Sequence, residues 1–231
     1  MKNHITLKTT IGALVCAGAL LNASVTRANT YHVTVNTAPL TSLPLSANGP
    51  FYVDYQLNYG DGSPNSAVVS DVLFGGGSAV GLPTVYSGTT ATGNLGGSIT
   101  MSAGPSSPYN EIFQGFNPGS SLSFDVSLTA NPSILTPTTF TFAILDSLTF
   151  QIPTTDPLGL SLAQFDVDSS GHIVAHAYSG ANVPDFGGDY SAITVSVTPV
   201  PEPSTTMAGI AALGFAGFAL FRSRKPAKKA A

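Results

Sequence analysis

Between Asn29 and Val200 this sequence has no lysine and no arginine. All eight basic side chains lie outside that span. Lys2, Lys8 and Arg27 precede it, and Arg222, Arg224, Lys225, Lys228 and Lys229 follow it. Nucleic-acid affinity comes largely from Lys and Arg neutralising phosphates, so nucleic acid is excluded as a partner of the middle. Lys/Arg–carboxylate ion pairs are excluded there too, leaving burial and hydrogen bonding to hold the fold. Tryptophan is absent, and the single cysteine, Cys16, sits in an N-terminal apolar run. The middle therefore has no disulfide and no thiol chemistry. Val15 is larger than the small residue expected before a lipidated cysteine.

Acidic residues, by contrast, are plentiful. Of the twelve carboxylates, all but Glu202 lie between Asn29 and Val200, giving that span a net charge of −11 with histidine neutral. Such a surface stays hydrated and resists aggregation. It also attracts cations such as Ca²⁺.

The N-terminus reads as a secretory signal, residues 1–28. Lys2 and Lys8 make a basic start, Ile11–Leu21 is apolar, and small residues follow. Eleven apolar residues are too few to span a bilayer. The expected cleavage point follows Ala28, with Ala23 as a second choice.

Residues 29–198 predict an all-β domain. Short alternating segments recur between Gly/Pro/Asn/Ser clusters, and no helical period stands out. The segments are Tyr31–Asn36, Phe51–Tyr59, Ala67–Phe74, Ser98–Ser102, Ile112–Phe116, Leu122–Thr129, Thr139–Leu145, Ala163–Val167, His172–Tyr178 and Ser191–Thr198. In Leu122–Thr129, Leu122, Phe124, Val126 and Leu128 share one face while Ser123, Asp125, Ser127 and Thr129 share the other. Gly60-Asp61-Gly62-Ser63, Gly75-Gly76-Gly77 and Asn117-Pro118-Gly119 punctuate the pattern as turns. The fold class expected is an antiparallel β-sandwich, jelly-roll-like, with a barrel as the alternative.

Residues 199–231 have three parts in order. Val200-Pro201-Glu202-Pro203-Ser204-Thr205 comes first, then the apolar stretch Thr206–Phe221, then a basic stop of Arg222, Arg224 and Lys225 with Lys228 and Lys229. A helix over about 205–221 would reach ~25 Å at 1.5 Å per residue, and snorkelling of Arg222 extends it toward the ~30 Å of a hydrocarbon core. The basic end should stay cytoplasmic, which places the middle outside. This tail resembles the PEP-CTERM sorting signal of Gram-negative surface and secreted proteins. The resemblance implies export across the inner membrane and transient anchoring by the C-terminal helix. Processing by an exosortase-like enzyme would then deliver the protein to the cell surface or medium, in association with exopolysaccharide or biofilm. Tyr31–Thr37, Phe51–Gly62 and Ser121–Leu128 are similar to a loose group of PEP-CTERM cargo domains, which brings no known activity.

The search for chemistry in the middle is mostly negative. Asp166 and Asp168, in Asp166-Val167-Asp168-Ser169-Ser170-Gly171, could begin a Ca²⁺ loop, but the terminal bidentate Glu is missing and a hairpin turn explains the same residues. Asp185-Phe186-Gly187-Gly188-Asp189 is a weaker candidate of the same kind. His172 and His176 would sit about 13 Å apart on a strand, too far to share an ion. Gly76-Gly77-Ser78-Ala79-Val80 lacks the second glycine of a nucleophile elbow. Glu111, the only glutamate before the tail, with an Asp partner could serve a polysaccharide hydrolase. No catalytic residue is expected otherwise. Tyr52 with Asp54 and Gln56, on the outer face of FYVDYQLNY, form the expected contact surface for a glycan.

Overall fold

The computed structural model of the chain describes residues 28–42, 50–86, 88–158, 161–183 and 188–200. Residues 1–27 of the expected signal segment, the Pro201–Thr205 motif, the apolar stretch and the basic stop lie outside them. Among the described residues no helix is long and apolar enough to cross a membrane.

Fourteen strands form among the described residues: β1 (Ala28–Asn36), β2 (Phe51–Asn58), β3 (Asn65–Leu73), β4 (Ser78–Val85), β5 (Thr92–Gly93), β6 (Ile99–Ala103), β7 (Tyr109–Asn117), β8 (Ser121–Thr129), β9 (Thr138–Leu145), β10 (Ala163–Val167), β11 (Ile173–Ala177), β12 (Asn182–Val183), β13 (Gly188–Asp189) and β14 (Val195–Pro199). A short 3₁₀ turn, Ala38–Ser42, follows β1. Two six-stranded sheets pack face to face. One runs β14-β1-β8-β3-β6-β5, the other β11-β10-β9-β2-β7-β4, and every pairing within them is antiparallel. The pairings nest: β1 with β8, β2 with β7, β3 with β6.

The core takes in the apolar face that the alternation of Leu122–Thr129 predicts. Phe51, Val53, Tyr55 and Leu57 of β2 face Leu122, Phe124, Val126 and Leu128 of β8, and all are buried. The sheets meet through aromatic edges, with the Tyr55 ring 5.3 Å from Phe124 and the Phe124 ring 5.0 Å from Phe142. Each such side chain contributes about 1.5–3 kcal/mol on leaving water. This apolar core takes the place of the Lys/Arg ion pairs and disulfides that the composition rules out.

Three elements depart from the periodicity. β4 carries no buried face, contains Gly81 and Pro83, and shifts register against β7 between Val80 and Thr84. An edge strand needs neither strict alternation nor every N–H, so the pattern does not announce it. The segment expected as a strand from Ser191 enters the sheet only at Val195. Its first residues instead form a turn, with the Asp189 side chain accepting from the Ser191 N–H at 2.9 Å and Ile193 N–H donating to Tyr190 O at 2.9 Å. In β7, Asn110 and Gln114 point inward and are buried, which breaks the alternation. Asn110 Oδ1 accepts from Thr90 N–H at 2.7 Å, and Gln114 Oε1 accepts from Leu95 N–H at 2.8 Å. Both amides stitch the crossing segment 88–98 to the sheet, satisfying groups that burial would otherwise penalise.

The register defines two ends. One holds Ala28, Thr129, Thr138, Val167 and Pro199, with the loops 59–64, 130–137 and 168–172. Asn65 Nδ2 of β3 ties the two sheets there, donating to Thr138 Oγ1 of β9 at 3.3 Å. The other end holds Asn36, Phe51, Leu145 and Ala163, with loops 74–77, 117–120 and 146–158.

Candidate functional site

The outer face of the second sheet gathers most of the polar chemistry. Strand register sets His176, Gln164, Thr141, Gln56 and Glu111 in one row across β11, β10, β9, β2 and β7. Asp166 and Asp54 lie one pleat to either side of that row.

At the centre, one amide holds two carboxylates. Gln56 Nε2 donates to Asp54 Oδ2 at 2.8 Å and to Glu111 Oε1 at 3.3 Å. Asp54 is 1% exposed, and its Oδ1 is buried without a hydrogen-bond partner. Burial first, and the adjacent Glu111 charge second, push its carboxyl up to about 7 against the lowering effect of the Gln56 bond. Asp54 therefore departs from expectation. It sits on the outer face by periodicity yet is sealed beneath its neighbours.

Aromatic rings flank this pair. Tyr52 packs edge-on against Phe113 with centroids 5.9 Å apart, and Tyr86 packs edge-on against Tyr109 at 5.7 Å. Burial, then the hydrogen bond and charge of Glu111, raise the Tyr109 phenol well above its ordinary range. It stays a neutral donor. Tyr52, Gln56 and Glu111 are half-buried and Tyr86 is exposed, so ring faces, an amide and a carboxylate border solvent together. Sugars are bound by such sets, with ring contact for the apolar face and fixed polar groups for the hydroxyls. Two-carboxylate hydrolysis needs both groups facing the sugar, and Asp54 offers it no exposed oxygen.

Phe113, Tyr86, Gln164 and Thr141 do not stand out in the sequence. The alternation Tyr109, Glu111, Phe113 was the available signal, obscured by the inward Asn110 and Gln114.

Asp166 and Asp168 serve local structure. Asp166 accepts from Thr139 Oγ1 at 2.7 Å and from Gln164 Nε2 at 2.9 Å. Asp168 Oδ1 accepts from the N–H groups of Ser170 at 2.8 Å and His172 at 2.9 Å, closing the β10–β11 hairpin. The Ser170 hydroxyl, donating to the same oxygen at 2.7 Å, and after it the His172 N–H hold the Asp168 carboxyl below the usual range. His176 Nε2 lies 3.6 Å from Asp166 and His172 Nδ1 3.8 Å from Asp168, so the two histidines face different carboxylates. A third pair, His32 Nδ1 with Asp125 Oδ1 at 2.6 Å, bridges β1 and β8. Among the described residues no three His, Cys, Asp or Glu side chains converge as metal ligands. Asp185 lies outside the described residues.

The chain leaves the sandwich beside its own beginning. β14 pairs with β1 through Tyr31–Pro199, and Val200 N–H donates to Thr30 O at 2.8 Å. No curated protein and no solved structure matches the chain. The family model described as the PEP-CTERM protein-sorting motif does match, at residues 199–225. The chain thus carries a PEP-CTERM sorting motif that begins where its last strand ends, which implies export and processing by an exosortase.

Proposed function

We propose that this is a non-enzymatic protein of the cell surface or extracellular matrix. It would be exported by its N-terminal signal, held briefly in the inner membrane by the apolar stretch, and released or transferred through the tail. The observation that carries this reading is the sorting motif at 199–225, directly after the last sheet strand. The nested strand pairings support a jelly-roll-like sandwich as the cargo. The sealed Asp54 argues against a hydrolase built on Glu111. Expression in the producing cell of a chain ending at Val200 tests the sorting reading. That chain should be exported yet fail to accumulate where the full chain does. Identical localisation of the two would refute it.

A second reading is favoured by the ring-and-amide patch of Tyr52, Tyr86, Tyr109, Gln56 and Glu111. In it the sandwich binds the exopolysaccharide among which it is displayed. Calorimetry with the producer's own polysaccharide should give heat that Tyr86→Ala and Tyr52→Ala reduce, since each stacked ring contributes on the order of 1 kcal/mol. No heat from the unaltered protein, together with no thermal shift, would remove it. Calcium, titrated in parallel, separates a cation-binding role for Asp166 and Asp168 from a glycan-binding one.

A further inference from the structure

The loop between β8 and β9 displays two apolar side chains, and the fold holds them outward. Ser133 is buried, its N–H donating to Asp168 O at 3.3 Å and its Oγ to Val167 O at 3.1 Å. On the other side the Asp61 carboxylate accepts from the N–H groups of both Ile134 and Leu135, the latter at 2.9 and 3.0 Å. Asp61 N–H in turn donates to Thr136 O at 3.1 Å. Pinned on both flanks, Ile134 and Leu135 stand 69% and 89% exposed. An apolar pair that folding leaves in water, on a backbone tied down by a carboxylate, calls for a covering surface.

The exit of the chain identifies that surface. This loop leaves β8 at Thr129, which pairs with Ala28, and β14 leaves the sheet at Pro199 beside Tyr31. The start of β1, the end of β14 and the Ile134–Leu135 tip therefore share one end of the sandwich. Only residues 201–205 separate Val200 from the apolar stretch at Thr206. Five extended residues reach roughly 17 Å at 3.3–3.6 Å each, about half the length of a nine-residue strand. The opposite end, with exposed Leu148 and Phe150, cannot be the one turned down toward a bilayer that holds the tail.

We infer that, while the tail is intact, the sandwich stands on the outer surface of the inner membrane with Ile134 and Leu135 in the interfacial layer. This rests on the proposed anchoring by residues 205–221. Two side chains would not retain a free acidic domain on a lipid surface. Tethering makes the contact intramolecular, and the short linker keeps the effective concentration high. The carboxylates at this end, Asp61 and Asp168, are both engaged by backbone N–H groups. Cutting the tail removes the tether, and the contact is lost with it.

The absence of tryptophan supplies the test. Full-length L135W and L148W are reconstituted separately into phosphatidylcholine vesicles, with and without brominated acyl chains. Both should co-float with the vesicles. The indole of L135W should emit to the blue and lose intensity to bromine, while that of L148W emits as in water. Equal quenching of the two, or water-like emission from L135W in a floated chain, overturns the orientation while leaving the anchor standing. Failure of either chain to float removes the anchor reading and the orientation with it.

Discussion

The N–H of Val200 donates to the carbonyl of Thr30 at 2.8 Å, so the chain just past β14 is fastened to the first strand. β14 thereby belongs to the sandwich and the sorting motif overlaps its edge by Pro199. A chain ending at Val200 is expected to melt like the full-length domain. One ending at Thr194 loses β14, uncovers the edge of β1 beside Val33 and Val35, and should melt lower by on the order of 10 °C. Scanning calorimetry of the two checks this.

Tyr55 has a buried hydroxyl with no hydrogen-bond partner, enclosed by the rings of Phe124, Phe140 and Phe142. Removing an unsatisfied polar atom recovers its desolvation cost. Y55F should be more stable by about 1 kcal/mol, read as a higher denaturant midpoint at unchanged slope. A lower midpoint would show that the hydroxyl is satisfied in solution.

Asp54 makes stability depend on pH in a direction opposite to most carboxylates. Its folded-state carboxyl titrates near 7 against an ordinary 3.8, so the folded protein holds the proton more tightly. Stability is full below about pH 4, where both states are protonated, and falls as pH rises through 7 and a desolvated carboxylate must ionise. D54N cannot ionise, keeps an acceptor for Gln56, and should exceed the unaltered protein by on the order of 2–4 kcal/mol at pH 8. The advantage should shrink toward zero near pH 4. Urea titrations at the two pH values decide it.

Gly171 closes the β10–β11 turn with φ +76°, and a Cβ there would meet Ala130 O at 2.7 Å. Both the left-handed backbone and the close approach exclude a side chain. G171A should cost about 1–3 kcal/mol. S169A, two positions earlier in the same turn and exposed, should cost little by the same unfolding measurement.

Much of this architecture was legible in the chain. The alternation of Leu122–Thr129 has its expected buried face, and Ala163–Val167 forms a strand over those same residues. Period-two alternation is a local consequence of one face meeting the core, so it survives in the sequence wherever a strand is central. β4 did not, because an edge with two exposed faces imposes no alternation. The site was half legible. Tyr52, Asp54 and Gln56 share a face as their spacing requires, but spacing says nothing of Glu111 on another strand.

Periodicity, a property of neighbouring residues, was enough to indicate an all-β domain between two basic, apolar ends. The sorting tail was determined in the same way, by three segments in fixed order. Only the tertiary structure decided that Asp54 is sealed, that Gln56 holds it against Glu111, and that Asn110 and Gln114 turn inward to satisfy crossing loops. It alone also placed Ala28 and Pro199, the outer ends of β1 and β14, at the same end of the sandwich as the Ile134–Leu135 tip. Each of these depends on which strand lies across the sheet, a contact between residues far apart in the chain that no local pattern encodes.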